Sequence, residues 1–334
     1  MLTTTLDKDY QDMPHESVPC PLCDVPNDYV LAKRGYPDVP LINVLCRTCG
    51  LIRINPRMTA EGYEQFYQDD FFTYLNPYSR PAYIEEIERT TDDTYETPSK
   101  RLILPYIRDY VKENGNVLDV GAGFGQMVYI LRKEKNVSFV GLEPDPGSRS
   151  VAKEKMGIDL LPIMVEEFLD TNTQTFDFIF MEQVFEHLLT PLATLKRLAN
   201  VLAPEGVIYI GVPNGYDPQV PMALFYQLAH TYNYTPATLK KFADAAGLKI
   251  ISIRDPLGNP LEALLARKDS SYPEEDASRM VAGSDWKDVA RRLTRKQRIN
   301  TLRSFGKKVL TGVFGNTGKE RVRRVIDSLI RYRY

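Results

Sequence analysis

The chain has 334 residues, 43% of them hydrophobic, with a net charge of −2 and a single tryptophan. That is enough apolar material for one large domain or two modest ones, and the near-neutral balance gives no global case for nucleic acid. No apolar run approaches the length needed to cross a bilayer, and Met1 to Ser17 lacks the charged-then-apolar order of a secretory leader, so a cytosolic protein is expected.

Residues 1–16 read as a flexible N-terminus. All four cysteines lie just beyond it in one short region, Cys20-Pro21-Leu22-Cys23 and Cys46-Arg47-Thr48-Cys49. Two C-x-x-C pairs separated by a loop can place four thiolates tetrahedrally around Zn²⁺, and a segment of this size needs such a staple. Disulfides are the alternative, and a cytosolic chain disfavours them. A zinc-binding module over residues 17–57 is therefore expected, with Cys20, Cys23, Cys46 and Cys49 as ligands. Its role is structural, because four sulfur ligands leave no open coordination position. Residues 58–97 are rich in aromatics (Tyr63, Phe66, Tyr67, Phe71, Phe72, Tyr74, Tyr78, Tyr83) and read as a helical lid or linker. Most of these rings would pack the zinc module onto the larger domain C-terminal to it; a minority could line a substrate cleft.

From Pro98 to Lys268, strand and helix patterns alternate. A helix over Pro98–Tyr110 leads into the strand Val117–Val120, which ends in Gly121-Ala122-Gly123-Phe124-Gly125 before a helix to Glu134. Glycines at alternate positions permit positive φ and close approach of a ligand, and the helix start offers free N–H groups, so a polar, nucleoside-like ligand is expected there. The next strand, Val137–Leu142, ends in Glu143, whose carboxylate can accept hydrogen bonds from a ribose diol. A helix over Gly147–Met156, a strand near Ile158–Leu161 and a buried strand Phe176–Met181 come next. The last leads into Glu182-Gln183-Val184-Phe185-Glu186-His187-Leu188, ahead of a helix opening at Thr190-Pro191. Beyond the strand Glu205–Val212 lie an insertion, Gly215–Leu228, then His230 and a helix over Ala237–Ala246. Two strand-like runs, Leu248–Arg254 and Leu261–Arg267, close the region.

Asp119-x-Gly121-x-Gly123-x-Gly125 followed by Glu143 resembles the cofactor site of class I S-adenosylmethionine-dependent methyltransferases. The Glu186-His187 pair resembles the motif of ubiquinone-pathway O-methyltransferases and sugar 3-C-methyltransferases. Asn55-Pro56-Arg57 with the aromatic segment is similar to the front end of methyltransferases that carry an N-terminal zinc module, sugar-modifying ones included. The fold this implies is α/β: a Rossmann-like seven-stranded methyltransferase sheet over residues 98–268, its sixth and seventh strands antiparallel, with the small zinc module before it and a helical basic extension after it. The implied cofactor set is Asp119, Gly121, Ala122, Gly123, Gly125, Glu143, Pro144, Glu166, Glu182 and Gln183, with the glycine turn on the methionine part and Glu143 on the ribose. A glycine turn in a nicotinamide-binding or ligand-free sheet is the alternative.

The resemblance also implies that His187, beside Glu186, is a catalytic base, since a histidine that titrates near neutrality can take a proton as the methyl group arrives. His230 is the second candidate. Structural roles stay open for both: the Glu-His pair tying its loop to the next helix, and His230 packing a loop. In ubiquinone-pathway enzymes a further carboxylate three residues before the pair can contribute to a metal site. Gln183 stands there in this chain, and Glu182 is one residue off, so no catalytic metal is expected.

Residues 269–334 lie beyond the resemblance. Trp286 to Tyr334 holds fifteen Lys or Arg against three Asp or Glu. Apolar stripes of Ile299, Leu302, Val309, Leu310 and Val313, and of Val322, Val325, Ile326, Leu329 and Ile330, predict two basic amphipathic helices. They suit an anionic membrane surface or, equally, stripes packed on the protein itself or on a protein partner with the arginines in water, and nucleic acid comes third; the protein is then cytoplasmic, with a peripheral position at the inner face of the membrane under the first of these readings. The function expected is methyl transfer to a hydroxyl or carbon of a sugar, as nucleotide-sugar or glycan. The alternatives are an RNA methyltransferase with a zinc module and a small-molecule natural-product O-methyltransferase. A catalytically dead scaffold is disfavoured by the intact glycine turn and Glu143.

Overall fold

The computed structural model describes residues 10–36, 38–68, 99–256, 260–276 and 282–303, with the single residues 89, 91, 97 and 278. Its strands are β1 (His15–Glu16), β2 (Asp28–Ala32), β3 (Asn43–Cys46), β4 (Ile52–Ile54), β5 (Arg57–Met58), β6 (Asn116–Val120), β7 (Ser138–Leu142), β8 (Phe176–Glu182), β9 (Leu202–Val212), β10 (Tyr232–Asn233), β11 (Leu248–Arg254) and β12 (Leu261–Arg267).

The central sheet has six strands in the order β11-β12-β9-β8-β6-β7. β6 to β9 run parallel, and β12 and β11 are antiparallel, as expected. The interior strands are apolar because both faces are covered, and alternate residues serve opposite faces. Ile179, Met181, Ile208 and Ile210 pack with residues of the helices Val165–Thr171, Pro191–Asn200 and Pro236–Ala245. Phe178, Phe180, Val207 and Tyr209 pack on the other face with Leu104 and Ile107, and with Met127, Ile130 and Leu131 of the helix Gln126–Lys135.

A seventh strand near Ile158–Leu161 does not form among the described residues. That segment makes one isolated bridge, Leu161 with Leu142, carried by hydrogen bonds from Leu161 N to Gly141 O and from Glu143 N to Leu161 O. Leu161 is 43% exposed, so no covering layer rewards longer pairing at this edge.

A second, antiparallel sheet has the order β10-β4-β3-β2. Its first three strands in sequence belong to the cysteine segment, whereas β10 comes from the far side of β9. Ile54 N donates to Thr231 O beside the β4–β10 pairing. Of the aromatic segment, the helix Ala60–Gln68 buries Tyr63 and Phe66; most of residues 69–97 lies outside the described residues. A helix over 286–303 corresponds to the start of the basic extension. It buries Val289 and Leu293 in one cluster with Leu41, Ile52, Met58, Met222 and Tyr226. Ile299 is half-buried and Leu302 is exposed, so the expected stripe is not the buried face; its remaining members and the whole second stripe lie outside the described residues.

Candidate active site

Between β6 and the helix Gln126–Lys135, Gly121, Gly123 and Gly125 all have positive φ (66°, 55° and 73°). Gly121 also has no room for a side chain, and Gly125 has little. A Cβ on Gly121 would lie 2.5 Å from Val184 Cγ2, and one on Gly125 3.0 Å from Ile158 Cγ2. At Gly123 a Cβ would meet nothing within 4 Å among the described residues, so here the backbone borders space that none of them fills. Glu143, at the end of β7, accepts from Gly123 N at 2.8 Å and from Asp145 N at 2.8 Å. Arg149 Nη1 donates to Glu143 O at 2.8 Å and to Pro144 O at 2.6 Å, pinning the turn. Each carboxylate oxygen of Glu143 retains a lone pair for a further donor.

Burial, with some help from the Glu143 charge, pushes the Asp119 carboxyl up to about 8, and burial pushes Glu143 up to about 7. Two buried acids beside an open backbone cradle suit a ligand that brings hydroxyl donors and positive charge, as S-adenosylmethionine does with its ribose, ammonium and sulfonium. The residues present therefore fit that cofactor. Ala122 helps shape the turn, its N–H donating to Leu142 O. Glu166 accepts from Thr194 Oγ1 at 2.9 Å, which ties two helices together.

Glu182, at the end of β8, turns into the sheet. Its Oε2 accepts from Tyr209 Oη at 2.6 Å, and Tyr209 Oη lies 2.9 Å from Glu262 Oε1. Its carboxyl is pushed up to about 7 by burial, the Glu262 charge adding to the effect. A Cβ on Gly211 would collide with Glu182 Oε2, so the glycine makes room for this carboxylate. Arg254 Nε pairs with Glu262 at 2.5 Å, and its guanidinium lies 3.8 Å from the Tyr106 ring centroid. Tyr209, Arg254 and Glu262 belong to no motif of the sequence. The one signal for them is a carboxylate inside the otherwise apolar strand Leu261-Glu262-Ala263-Leu264-Leu265.

After β8 the backbone reverses at Gln183, a non-glycine residue with φ 56°. Its N–H donates to Gly211 O, and its side chain is exposed. Val184 lies against Gly121, which sets the Glu186-His187 loop beside the glycine turn. His187 Nδ1 is 2.9 Å from Ala229 O, and the rings of His187 and His230 meet edge to face at 4.9 Å. His187 Nε2 is 3.9 Å from Glu186 Oε1. Glu186 is 1% and His230 7% exposed. Burial holds the Glu186 carboxyl well above the carboxylate range, His187 down to about 4, and His230 well below its usual value. Both candidate bases thus converge with Glu186 in one cluster, although 42 residues separate His187 from the carbonyl that orients it.

The four cysteines also converge. Cys20 Sγ and Cys49 Sγ are 3.5 Å apart, all four sulfurs lie within 4.8 Å of one another, and none is in a disulfide. Sulfurs bound tetrahedrally to zinc at ~2.3 Å are separated by about 3.8 Å, so the spacing fits that ion. Asp24 N donates to Cys20 O and Gly50 N to Cys46 O, forming two tight turns, and Lys241 Nζ donates to Cys49 O at 2.9 Å.

Residues 95–253 match the family model described as a methyltransferase domain. Just under half of the chain is thus similar to a methyltransferase domain. This domain is similar to the ubiquinone biosynthesis O-methyltransferase of Actinobacillus pleuropneumoniae, with 28% identity over 127 residues, 34% of this chain and 54% of that enzyme. The matched stretch thus spans about half the length of that relative. The enzyme of the same name from Nitrosococcus oceani is 25% identical over 177 residues, 48% of this chain and 75% of that one. Among solved structures, the Burkholderia thailandensis 1,6-didemethyltoxoflavin-N1-methyltransferase with S-adenosylhomocysteine matches with a TM-score of 0.47 and 17% identity, covering 71% of this chain and all of that one. Among the described residues no helix is long and apolar enough to cross a membrane.

Proposed function

We propose that the protein transfers the methyl group of S-adenosylmethionine to a hydroxyl of a small molecule. The observation that carries this reading is the Glu186, His187 and His230 cluster, held beside the glycine turn by the contact of Val184 with Gly121. A hydroxyl must lose its proton as the methyl group arrives, and this cluster is the proton-handling chemistry next to the cofactor site. The cofactor supplies the electrophilic methyl when bound. Gly121, Gly123 and Gly125 give its methionine part a close backbone, and Glu143 takes the ribose hydroxyls. The ubiquinone-pathway O-methyltransferases that the domain is similar to support a hydroxyl acceptor.

A sugar hydroxyl is the second reading, favoured by the cysteine segment, which joins the domain through β4 and β10 directly after His230. In both readings one Zn²⁺ on Cys20, Cys23, Cys46 and Cys49 holds that segment together. The basic extension would place the enzyme at an anionic surface, with Arg291, Arg295 and Arg298 exposed on its described helix. The test is a screen of phenolic and other hydroxylated small molecules, nucleotide sugars and total RNA with methyl-labelled cofactor. Label in a phenol or alcohol supports the main reading, label in nucleotide sugars the second, and label in RNA alone overturns both.

A further inference from the structure

We propose that Glu182 positions the loop after β8 as a protonated acid, at the head of a hydrogen-bonded row that runs through Tyr209 and Glu262 to Arg254. Strand register lays this row across the end of the sheet where the glycine turn lies. Glu182 of β8 stands opposite Gly211 of β9, Gly211 opposite Glu262 of β12, and Glu262 opposite Arg254 of β11. Gly211 leaves room in the middle of the row, and the Tyr209 hydroxyl reaches into it from two residues earlier on the same face. The Tyr209 ring is held there by stacking on Phe180, with ring centroids 4.7 Å apart. The catalytic consequence rests on the proposed methyl transfer, but the shared proton and the hold on the loop do not.

The hydrogens in this row can be counted. A phenol carries one, yet Tyr209 Oη lies 2.6 Å from Glu182 Oε2 and 2.9 Å from Glu262 Oε1. Both contacts are hydrogen bonds only if one of the carboxyls carries a second hydrogen. Glu262 already receives Arg254 Nε on its other oxygen, so it is the ionised partner. The extra proton therefore sits on Glu182, whose O–H donates to Tyr209 Oη while Tyr209 donates to Glu262. Burial, with the Glu262 charge adding to it, pushes Glu182 up to about 7, in keeping with this count. Arg254 closes the row, its Nη2 donating to Leu102 O and its guanidinium lying over the Tyr106 ring. Among the described residues, the titratable and charged groups that face Glu182 from other elements are thus Tyr209, Glu262 and Arg254. On its own loop, the Glu182 charge acts on Glu186.

Glu182 is also the last residue before the backbone reverses. Gln183 takes φ 56°, a strained value for a residue with a side chain, and its N–H donates to Gly211 O, in the middle of the same row. His187 N donates to Val184 O within the turn that follows. A strained reversal of this kind persists only where its surroundings hold it, and the Glu182 side chain is the anchor on its N-terminal side. Loss of the Glu182 proton leaves one hydrogen between two carboxylates. Tyr209 then satisfies one of them, and the other faces a phenol lone pair. Glu262 stays paired with Arg254, so the row opens at Glu182, the end next to the loop. Glu186 and His187 are therefore held in place while Glu182 is protonated and are released when it ionises.

The test compares the full chain as wild type and as Glu182→Gln, in which an amide N–H takes the place of the carboxyl O–H at every pH. Amide hydrogen exchange at Gln183 and His187, read in both proteins at the same pH, should match below about 7 and become faster in the wild type alone above it. Infrared spectra of the cofactor-free wild type minus Glu182→Gln should show a protonated-carboxyl band that disappears over the same range. At saturating cofactor, the methyl-transfer rate of the wild type relative to Glu182→Gln should fall above about 7, approaching roughly tenfold per pH unit. Glu182→Ala should be slow at every pH and still bind S-adenosylhomocysteine. Tyr209→Phe keeps the ring and removes the shared oxygen, and it serves where a Glu182 variant fails to fold, with circular dichroism as the check. It should exchange the Gln183 amide rapidly at every pH. The same pH dependence of exchange in the wild type and Glu182→Gln, or no carboxyl band in the difference spectrum, overturns the proposal. No methyl transfer to any acceptor, with exchange and infrared results as expected, would instead overturn the methyl-transfer reading and leave the hold of Glu182 on the loop standing.

Discussion

At the scale of single residues, the glycine turn separates two effects that sequence spacing merges. Gly121→Ala puts a methyl group 2.5 Å from Val184 at φ 66°, so it should destabilise the fold by more than the ~1–2 kcal/mol of left-handed backbone strain alone. Gly123→Ala meets no atom of the described residues, so thermal melting should change by little more than that strain while affinity for S-adenosylhomocysteine falls, because the methyl occupies the cradle. Calorimetry and melting on the pair distinguish the two. Glu143→Ala should weaken cofactor binding by about 1–3 kcal/mol, the range for losing charged hydrogen bonds. The pH dependence has a definite sign. Asp119 and Glu143, raised to about 8 and about 7, hold protons in the cofactor-free fold that they would lose in the unfolded chain. Their contribution to stability is therefore present below the ordinary carboxylate range and lost as pH rises through about 7 and about 8. Cofactor affinity should run the other way, strengthening over the same window with release of protons, and affinity that is flat or falling there would contradict the assignment. His187→Ala should lower methyl transfer by roughly 10²- to 10⁴-fold with cofactor affinity nearly intact.

At the scale of elements, the pairing of β4 with β10 couples the cysteine segment to the catalytic loop. β10 begins two residues after His230, and Arg57, at the start of β5, donates to Leu189 O at 2.8 Å, just past the Glu186-His187 pair. A metal on the four cysteines should thus contribute to stability and also keep the histidine cluster in place. Cys46→Ser should lose that ion, melt at lower temperature and lose methyl transfer while keeping measurable cofactor affinity, since the glycine turn and Glu143 belong to β6 and β7, which pair with no strand of the cysteine segment. A variant with full metal content, or one that loses metal without change in melting, would count against this coupling.

At the scale of the whole molecule, the cysteine segment, the insertion after β9 and the helix over 286–303 share one apolar cluster. The helix also grips the insertion by polar contacts: Asn300 Nδ2 donates to Pro218 O and Val220 O, Met222 N donates to Gln297, and Arg292 and Lys296 both pair with Asp217. Deletion after Ser284 should therefore lower the melting temperature. Deletion after Arg303 should, if the remaining basic stretch meets an anionic surface, abolish salt-sensitive sedimentation with anionic vesicles.

The sequence by itself determined the order of strands and helices around the glycine turn, the antiparallel final pair, the convergence of four cysteines and the acid at the end of β7. Each of these is local, written in the alternation of apolar residues, in glycine at positions of positive φ, or in a short C-x-x-C spacing. Tertiary structure decided what depends on residues distant in the chain. Glu182 turned toward Tyr209 and Glu262 because neighbouring strands brought a phenol and a second carboxylate beside it. Leu161 gave a bridge instead of a strand because the sheet edge offers it no cover. His187 and His230 became one cluster with Glu186 only when the loop after β8 and the segment before β10 were bound together, and no periodicity or motif in either stretch encodes that meeting.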